Sequence, residues 1–499
     1  MRKRRRPVIR LGTIGLVLSL GCSGPQTADD ASLITSRAER TGWEQTTGYG
    51  EVMFLMQRVA GLSPRAHATT FGSTVEGRPL PLLIVGDVAN ASPAAVLAAD
   101  PDSFHRFHHE VLPERIAAGN GALAHHYLAD RGTLGIRTPA GSWTFVPRRG
   151  SVDLVKGEEG ADSVVEVDLD AWLGLVSDLD TAPGLFYTDR ATVPVGNPMR
   201  FMGWEPGLRA LFHGIPVFDP DTTDLRGLDG APLDPNQAFT LDDIGNEAAR
   251  HFLRTAGYLW VRGAFDADEV AGMLANTAVL ADEARAGDMT SWGGRDSGGA
   301  EVLTRVLRAA SRPGLRALAD DPRIRRIVEA SDEDLAPKVP DDPEAVDRVT
   351  VLWKRPDMAE GLADLPWHRD CGMGGHAINC PSAVLTICLT DGSPEAGQLR
   401  FLPGSHRGAF PFVDGTDVEA PGGIGLPIEA GDVTMHYSDL MHASLPPTSS
   451  DGPYRISVLI GFSPSDAGHH RGERHYNDAL LINKDGQIDH LGQRLADGG

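Results

Sequence analysis

The sequence predicts a multidomain α+β chain, with a smaller α/β region in front of a C-terminal half built from short strands and flanking helices. Three observations carry that expectation. At 499 residues the chain is longer than one hydrophobic core usually organises, so two or three domains are expected. A stretch rich in Asp, Pro and Gly at 219–240 separates two regions of different pattern. Beyond Arg348, β-type runs recur at 348–354, 383–389, 398–402, 432–436 and 455–462, broken by Gly and Pro, as in a sandwich or jelly-roll barrel. With 41% hydrophobic and 23% charged residues the chain is globular, neither a coiled coil nor disordered. A formal charge of −22 argues against general affinity for nucleic acid or anionic membranes. An anionic ligand would need a local cationic pocket.

In order along the chain we expect a leader (1–22), a polar spacer (23–45), a short fragment (46–98), an α/β domain (99–225), a linker (226–245), a C-terminal domain (246–470) and a tail (471–499). The basic run Arg2–Arg6, the apolar stretch Leu11–Leu20 and Gly21-Cys22 read as an export signal, too short for the ~20 residues of a membrane span. Leu18-Ser19-Leu20-Gly21-Cys22 resembles a bacterial lipoprotein cleavage site, with Ser19 where that pattern usually has Leu. The expected location is the cell envelope, with a lipid anchor at Cys22; the alternative is a wrongly assigned start and a cytoplasmic product. Cys371, Cys380 and Cys388 are too few and too odd in number for a disulfide framework, and no C-x₂-C pair offers a structural zinc site. Free thiols suit a reducing compartment, which pulls against export.

Glu51–Ala60 has helical apolar spacing and Leu80–Val85 is a β-type run. Helix, Thr69–Arg78 and strand together resemble the opening of zinc carboxypeptidases over about fifty residues. The H-x-x-E pair that would hold zinc is missing from 90–101, so no peptidase activity is expected; the H-x-x-E at His470–Glu473 lies in the charged tail. Between Phe104 and Asp224, helices are expected at 109–124, 170–179 and 204–212 and an alternating strand at 163–169. This arrangement resembles sterol carrier protein type 2 domains; the alternative is a small α/β domain with an ordinary packed core. His105, His108, His109, His125 and His126 share no ligand spacing with a carboxylate and read as surface or capping residues.

In the C-terminal half, 248–265 passes from helix through Gly257 into a strand, and Asp266 with Glu269 three residues on forms a capping signature. The chemistry-bearing residues are Trp367-His368-Arg369-Asp370 and His442-Ala443-Ser444. On or beside a strand, period-two alternation puts His368 and Asp370 on one face and Trp367 and Arg369 on the other. A third ligand from a distant strand would complete two imidazoles and a carboxylate, leaving positions open on a metal such as iron(II). H-x-D by itself is common as a pair of surface polar residues. Arg455 changes the weighing, because it opens the β-rich run after the turn 446–453, and a guanidinium offers a planar fork to a carboxylate.

From Phe252 to Phe462 the order W-H-x-D, G-Q-L-x-F-x-P-G-S-H, G-D and H-x-S followed by Arg resembles the phytanoyl-CoA dioxygenase family. The resemblance implies a double-stranded β-helix (a jelly-roll, cupin-like fold) that uses Fe(II), 2-oxoglutarate and O₂. It implies His368, Asp370 and His442 as iron ligands, and Arg455 and Ser444 as contacts to the 2-oxoglutarate carboxylates. Lys354 is a further co-substrate contact, Arg369 supports the ligands or the co-substrate, His436 lines the barrel, and His406 secures the Pro-Gly-Ser turn. Decarboxylation to succinate and CO₂ would drive hydroxylation; related halogenases have Gly or Ala in place of Asp370. The implied substrate is a small or lipid-like molecule, with no nucleic acid and no membrane contact beyond the anchor; substrate identity and oligomeric state stay open. The competing reading is a catalytically silent lipid- or small-molecule-binding lipoprotein.

Overall fold

The computed structural model describes residues 36–41, 45–62, 66–73, 79–85, 99–284, 290–337, 349–361, 365–370, 382–410 and 421–463, and isolated residues (339, 340, 342, 347 and 413) between them. The leader, most of the spacer, Cys371, Cys380 and the tail with His470 and Glu473 lie outside the described residues. No helix among the described residues is long and apolar enough to cross a membrane.

At the front, the helix Tyr49–Leu62 precedes an antiparallel pair, β1 (Ala66–Ser73) and β2 (Pro79–Val85). This helix reaches the C-terminal half, since the Gly50 amide donates to the Glu333 carboxylate at 3.0 Å.

The α/β unit contains β3 (Leu134–Thr138), β4 (Gly141–Arg148), β5 (Ser151–Lys156), β6 (Ser163–Val167) and β7 (Ala191–Val195), in spatial order β5-β4-β3-β6-β7. Only the β3–β6 pair is parallel. Two helices lie where the sequence predicts helices, the second starting six residues before the expected Trp204. Leu169–Val176 starts where the Asp168 carboxylate accepts from the Ala171 amide, and Pro198–His213 starts with Asn197 as cap and Pro198 in the first turn. The second ends at Gly214, in a left-handed conformation that an L side chain rarely adopts. Phe104, Phe107, Phe145, Trp172 and Trp204 are fully buried between sheet and helices. His108 corrects the surface reading of the histidines. It is 1% exposed and stacks on Trp143 at 5.3 Å, because its position on the helical segment faces the aromatic core.

The second core joins residues from Phe239 to Phe462. Its strands in chain order are β8 (Tyr258–Val261), β9 (Ser291–Asp296), β10 (Glu301–Val306), β11 (Ala336–Pro337), β12 (Val349–Lys354), β13 (Met358–Gly361), β14 (Leu365–His368), β15 (Ala383–Cys388), β16 (Leu399–Phe401), β17 (Ile424–Gly425), β18 (Val433–Tyr437), β19 (His442–Ser444) and β20 (Arg455–Ser463). They form two antiparallel sheets. The larger runs β13-β9-β10-β12-β20-β15-β18-β8 with β11 against β20, and the smaller runs β14-β19-β16-β17. Tyr258 of the larger sheet stacks on Phe401 of the smaller at 4.7 Å, so apolar side chains fill the space between the sheets.

The expected linker is not free. Phe239 and Ile244 are buried in the second core, and the Phe239 amide donates to the Trp260 carbonyl at 2.8 Å. Leu233, Ala238 and Leu241 pack against the same core, so the apolar residues of this stretch hold it to the second unit. The expected capping box holds, with the Asp266 carboxylate accepting from the Glu269 amide and the Glu269 carboxylate accepting from the Asp266 amide.

Candidate metal centre

The site assembles where the smaller sheet places two imidazoles side by side. β14 ends at His368 and β19 begins at His442, and the antiparallel register sets these residues directly opposite each other. Their rings lie 4.2 Å apart between centroids. Asp370 follows two residues after His368, in a turn rather than on the strand, and one carboxylate oxygen lies 3.6 Å from His368 Nε2 and 3.7 Å from His442 Nε2. One ligand atom from each of the three falls within 4.8 Å of the others. His442 Nδ1 donates to the Leu440 carbonyl at 2.9 Å, so Nε2 carries the lone pair facing Asp370.

The electrostatics suit a cation. Although its side chain is about a third exposed, the crowding around Asp370 would raise its carboxyl; His442, His368 and His436 instead hold it well below the usual carboxylate range. Burial, with His368 and His436 alongside, holds His442 well below the usual histidine range and therefore neutral. Two neutral nitrogens and one hard anionic oxygen make a donor set that fits a divalent transition metal such as iron(II). Sulfur ligands are absent from this group of three. His368 is partly exposed and Asp370 exposed, whereas His442 is buried, so the site has one open side.

His436 forms the wall behind the carboxylate. It is 2% exposed on β18, and its Nε2 lies 3.4 Å from the second oxygen of Asp370. One oxygen thus faces the two ligand imidazoles and the other faces His436. The G-D pair explains why β18 is held in place. Asp432 accepts from Trp260 Nε1 at 2.8 Å and from the Gly263 amide at 2.8 Å, tying the start of β18 to β8.

The other end of β19 is cationic. Lys354 closes β12 and Arg455 opens β20, directly opposite each other in register. Both are buried, and both hold Ser444: the Arg455 guanidinium donates to the Ser444 hydroxyl, and the Lys354 ammonium donates to the Ser444 backbone carbonyl. Among the described residues no carboxylate pairs with Arg455, and its Nε has no hydrogen-bond partner. Burial lowers Arg455 from its usual value, and burial also pushes the nearby Cys388 thiol up to about 12, so the thiol stays neutral. A buried guanidinium without a counter-ion is costly, which marks this as a place for an anion. Gly397 makes room for Lys354. Its φ is +73°, and a Cβ there would lie 2.1 Å from Lys354 Cε and 2.8 Å from the Leu445 carbonyl.

The structure therefore brings His368, Asp370, His442, Ser444, Lys354 and Arg455 together, at the two ends of one short strand. Arg369 is placed elsewhere. It is buried just past the end of β14, where Arg209, Asp439, Glu205 and Asp178 act on it, which corrects its grouping with the co-substrate contacts. His406 does more than secure its own turn: its Nε2 meets the Arg254 carbonyl at 3.0 Å, fixing the turn to the helix Glu247–Ala256. Gly397 and the position of His436 beside Asp370 were not foreseen. The G-Q-L motif flagged the turn but not what the glycine lies against.

Comparison with curated proteins gave no match. Among solved structures, that of EvdMO1 aligns at 24% identity over 44% of this chain and 49% of its own, with a TM-score of 0.35. The chain thus spans about half the length of EvdMO1. AviO1 from Streptomyces viridochromogenes Tue57 aligns at 25% identity over 44% of this chain and 95% of its own, with a TM-score of 0.34. EctD from S. alaskensis with bound Fe aligns at 19% identity over 54% and 93%, with a TM-score of 0.37. The family whose model matches this chain, over residues 253–456, is phytanoyl-CoA dioxygenase (PhyH).

Proposed function

We propose that the C-terminal half is a non-haem Fe(II)- and 2-oxoglutarate-dependent oxygenase, folded as a jelly-roll double-stranded β-helix, that hydroxylates a small or lipid-like molecule. The observation that carries this reading is the pairing, on one three-residue strand, of a metal-ligand cluster at His442 with a buried cationic clasp at Ser444. Residues two apart on a strand share a face and lie roughly 6–7 Å apart. That spacing suits a short dicarboxylate with one end at the metal and the other at Arg455.

When bound, iron(II), 2-oxoglutarate and O₂ supply the oxidation, coupled to release of succinate and CO₂. The chain's residues do the holding and orienting. His368, Asp370 and His442 would hold the metal, and the Leu440 carbonyl fixes the tautomer of His442. Arg455 and Ser444 offer donors to the remote carboxylate, Lys354 adds a second positive charge, and the apolar layer around Phe401 keeps water from the covered side. Asp370 favours hydroxylation over halogenation, because its carboxylate would take the place that a halide needs.

The test is an anaerobic titration of the full chain with iron(II) and 2-oxoglutarate, followed by succinate assay in air. A weak visible charge-transfer band and slow succinate release are expected. Iron binding without any 2-oxoglutarate-dependent band or succinate would overturn the reading in favour of a silent binding protein. Succinate release across panels of lipids and small metabolites would then identify the substrate class.

A further inference from the structure

Each segment that carries proposed metal ligands also carries one further charged residue. Arg369 stands between His368 and Asp370, and Asp439 stands three residues before His442. Arg369 is 8% exposed, and the charges acting on it are Arg209, Asp439, Glu205 and Asp178. Three of these four belong to the front α/β unit. There, Arg209 on the helix Pro198–His213 forms a two-pronged pair with Asp178, at 2.8 and 2.9 Å, with both residues buried. Asp439 and Glu205 act on Arg209 as well, so the five groups, four of them buried, influence one another across the two units.

A second observation is independent of charge. The chain leaving that helix runs directly onto the back of the metal strands. The Phe218 amide donates to the Ala409 carbonyl and the Ala409 amide to the Pro216 carbonyl, both at 2.8 Å. Phe218 also packs with Trp367, Met441 and Ala443, the immediate neighbours of His368 and His442. The front unit therefore backs both ligand-bearing segments, by the packing of Phe218 and by the field of its buried charges.

We propose that the front α/β unit is a positioning element for the metal centre, acting through Arg209–Asp178 on Arg369 and Asp439. Arg209 and Asp178 fix each other in a buried two-pronged pair, and Arg369 sits in their field. Asp439, Glu205 and Asp178 favour its charge and Arg209 opposes it, so a shift of either unit upsets that balance. That rigidity passes to Asp370 and His442 through one and three residues of backbone. Arg369 is thus a positioning residue, and the two units form one functional body. The inference rests on the metal reading proposed above. By reciprocity of linkage, a front unit that steadies the ligands must itself be steadied when metal binds.

The test uses the full-length apo protein with cobalt(II) as probe, read by its visible absorption and by affinity, so no turnover is needed. Asp178→Asn and Arg369→Gln should each weaken cobalt binding about 10-fold and alter the band shape, the scale of effects transmitted through ligand supports. Arg369→Lys should recover part of the loss. The two lesions should combine non-additively, because they cut the same link. A merely structural role would lower the melting temperature and leave the cobalt spectrum unchanged. Should the single variants fail to fold, the paired replacement Asp178→Leu with Arg209→Met keeps the volume apolar and should show the same loss. Hydrogen exchange on the wild type supplies a reading free of mutation: cobalt should slow exchange in 169–180 and 198–213. Unchanged cobalt binding in folded variants, or no protection of those helices, overturns the inference. Wild-type protein that binds no cobalt would instead remove the metal reading itself.

Discussion

Replacing Arg455 by leucine separates holding the co-substrate from holding the metal. The guanidinium is 3% exposed, pairs with no carboxylate among the described residues and donates to the Ser444 hydroxyl. Losing one side of a buried charge-assisted contact costs about 2–5 kcal/mol, which corresponds to roughly 30- to 4,000-fold in affinity. Lys354, directly opposite in register and on the same serine, keeps one positive charge in place. The low end of the range is therefore expected, a rise of about 30–100-fold in the KM for 2-oxoglutarate. Iron content should stay at the wild-type level, because Arg455 sits at the far end of β19 from His442. Arg455→Lys should fall between, retaining charge but losing the fork. Stability gives a second reading. Removing a buried charge that lacks a counter-ion should leave the melting temperature unchanged or raise it, the opposite of what loss of a structural ion pair does. The assay is succinate formation as 2-oxoglutarate is varied, with iron measured in parallel. An unchanged KM would refute Arg455 as the anchor and transfer that role to Lys354.

Asp370→Ala removes the only anionic ligand of the three; iron retention after desalting and succinate formation should both be lost, and retained iron would place the metal elsewhere. Gly397→Ala should raise the KM for 2-oxoglutarate with little change in kcat, since a Cβ meets Lys354 and the Leu445 carbonyl and the left-handed backbone costs about 1–2 kcal/mol; an unaltered KM would separate Lys354 from co-substrate binding. Burial holds both His108 and His213 down to about 4, below their unfolded value, so between pH 6.5 and 4 the unfolded chain takes up protons that the folded front unit does not. Stability should fall on acidification through that window by up to about 1.4 kcal/mol per pH unit for each histidine, and melting curves of His108→Phe should show a shallower slope. Asp347 opposes this in the second core. Its carboxyl is raised to about 6 by burial, so that group gains stability as pH falls toward its unfolded value. Export is tested by detergent partitioning: wild-type protein should enter the detergent phase and Cys22→Ala should not, and wild type confined to the cytosol would remove the envelope assignment.

What could be read from the sequence was what is local. Strand periodicity alone put His368 and Asp370 on one side and Trp367 and Arg369 on the other, and the side chains are so divided even though β14 stops at His368 and Asp370 lies in the turn. The five β-type runs match β12, β15, β16, β18 and β20 to within a residue or two, because Gly and Pro punctuate a chain wherever it must turn. Pairing order was not legible. β15 lies between β18 and β20, and β14 pairs with β19 across more than seventy residues, and such neighbours are chosen by packing rather than by any period in the chain. The same limit explains the errors at 226–245 and at His108. A stretch rich in Asp, Pro and Gly reads as a linker until its scattered apolar residues find a core, and a histidine reads as surface until a tryptophan lies flat against it. Arg369 shows the limit most sharply. Its spacing from His368 and Asp370 says which way it points, but only the docking of a separate unit, over 150 residues earlier in the chain, supplies Asp178 and Glu205, whose negative charge favours the buried guanidinium, and Arg209, which opposes it. A site can therefore be legible as a motif while the reason it is rigid lies in another unit altogether. That is why the cobalt measurements on Asp178 and Arg209 say more about this centre than further changes to its ligands would.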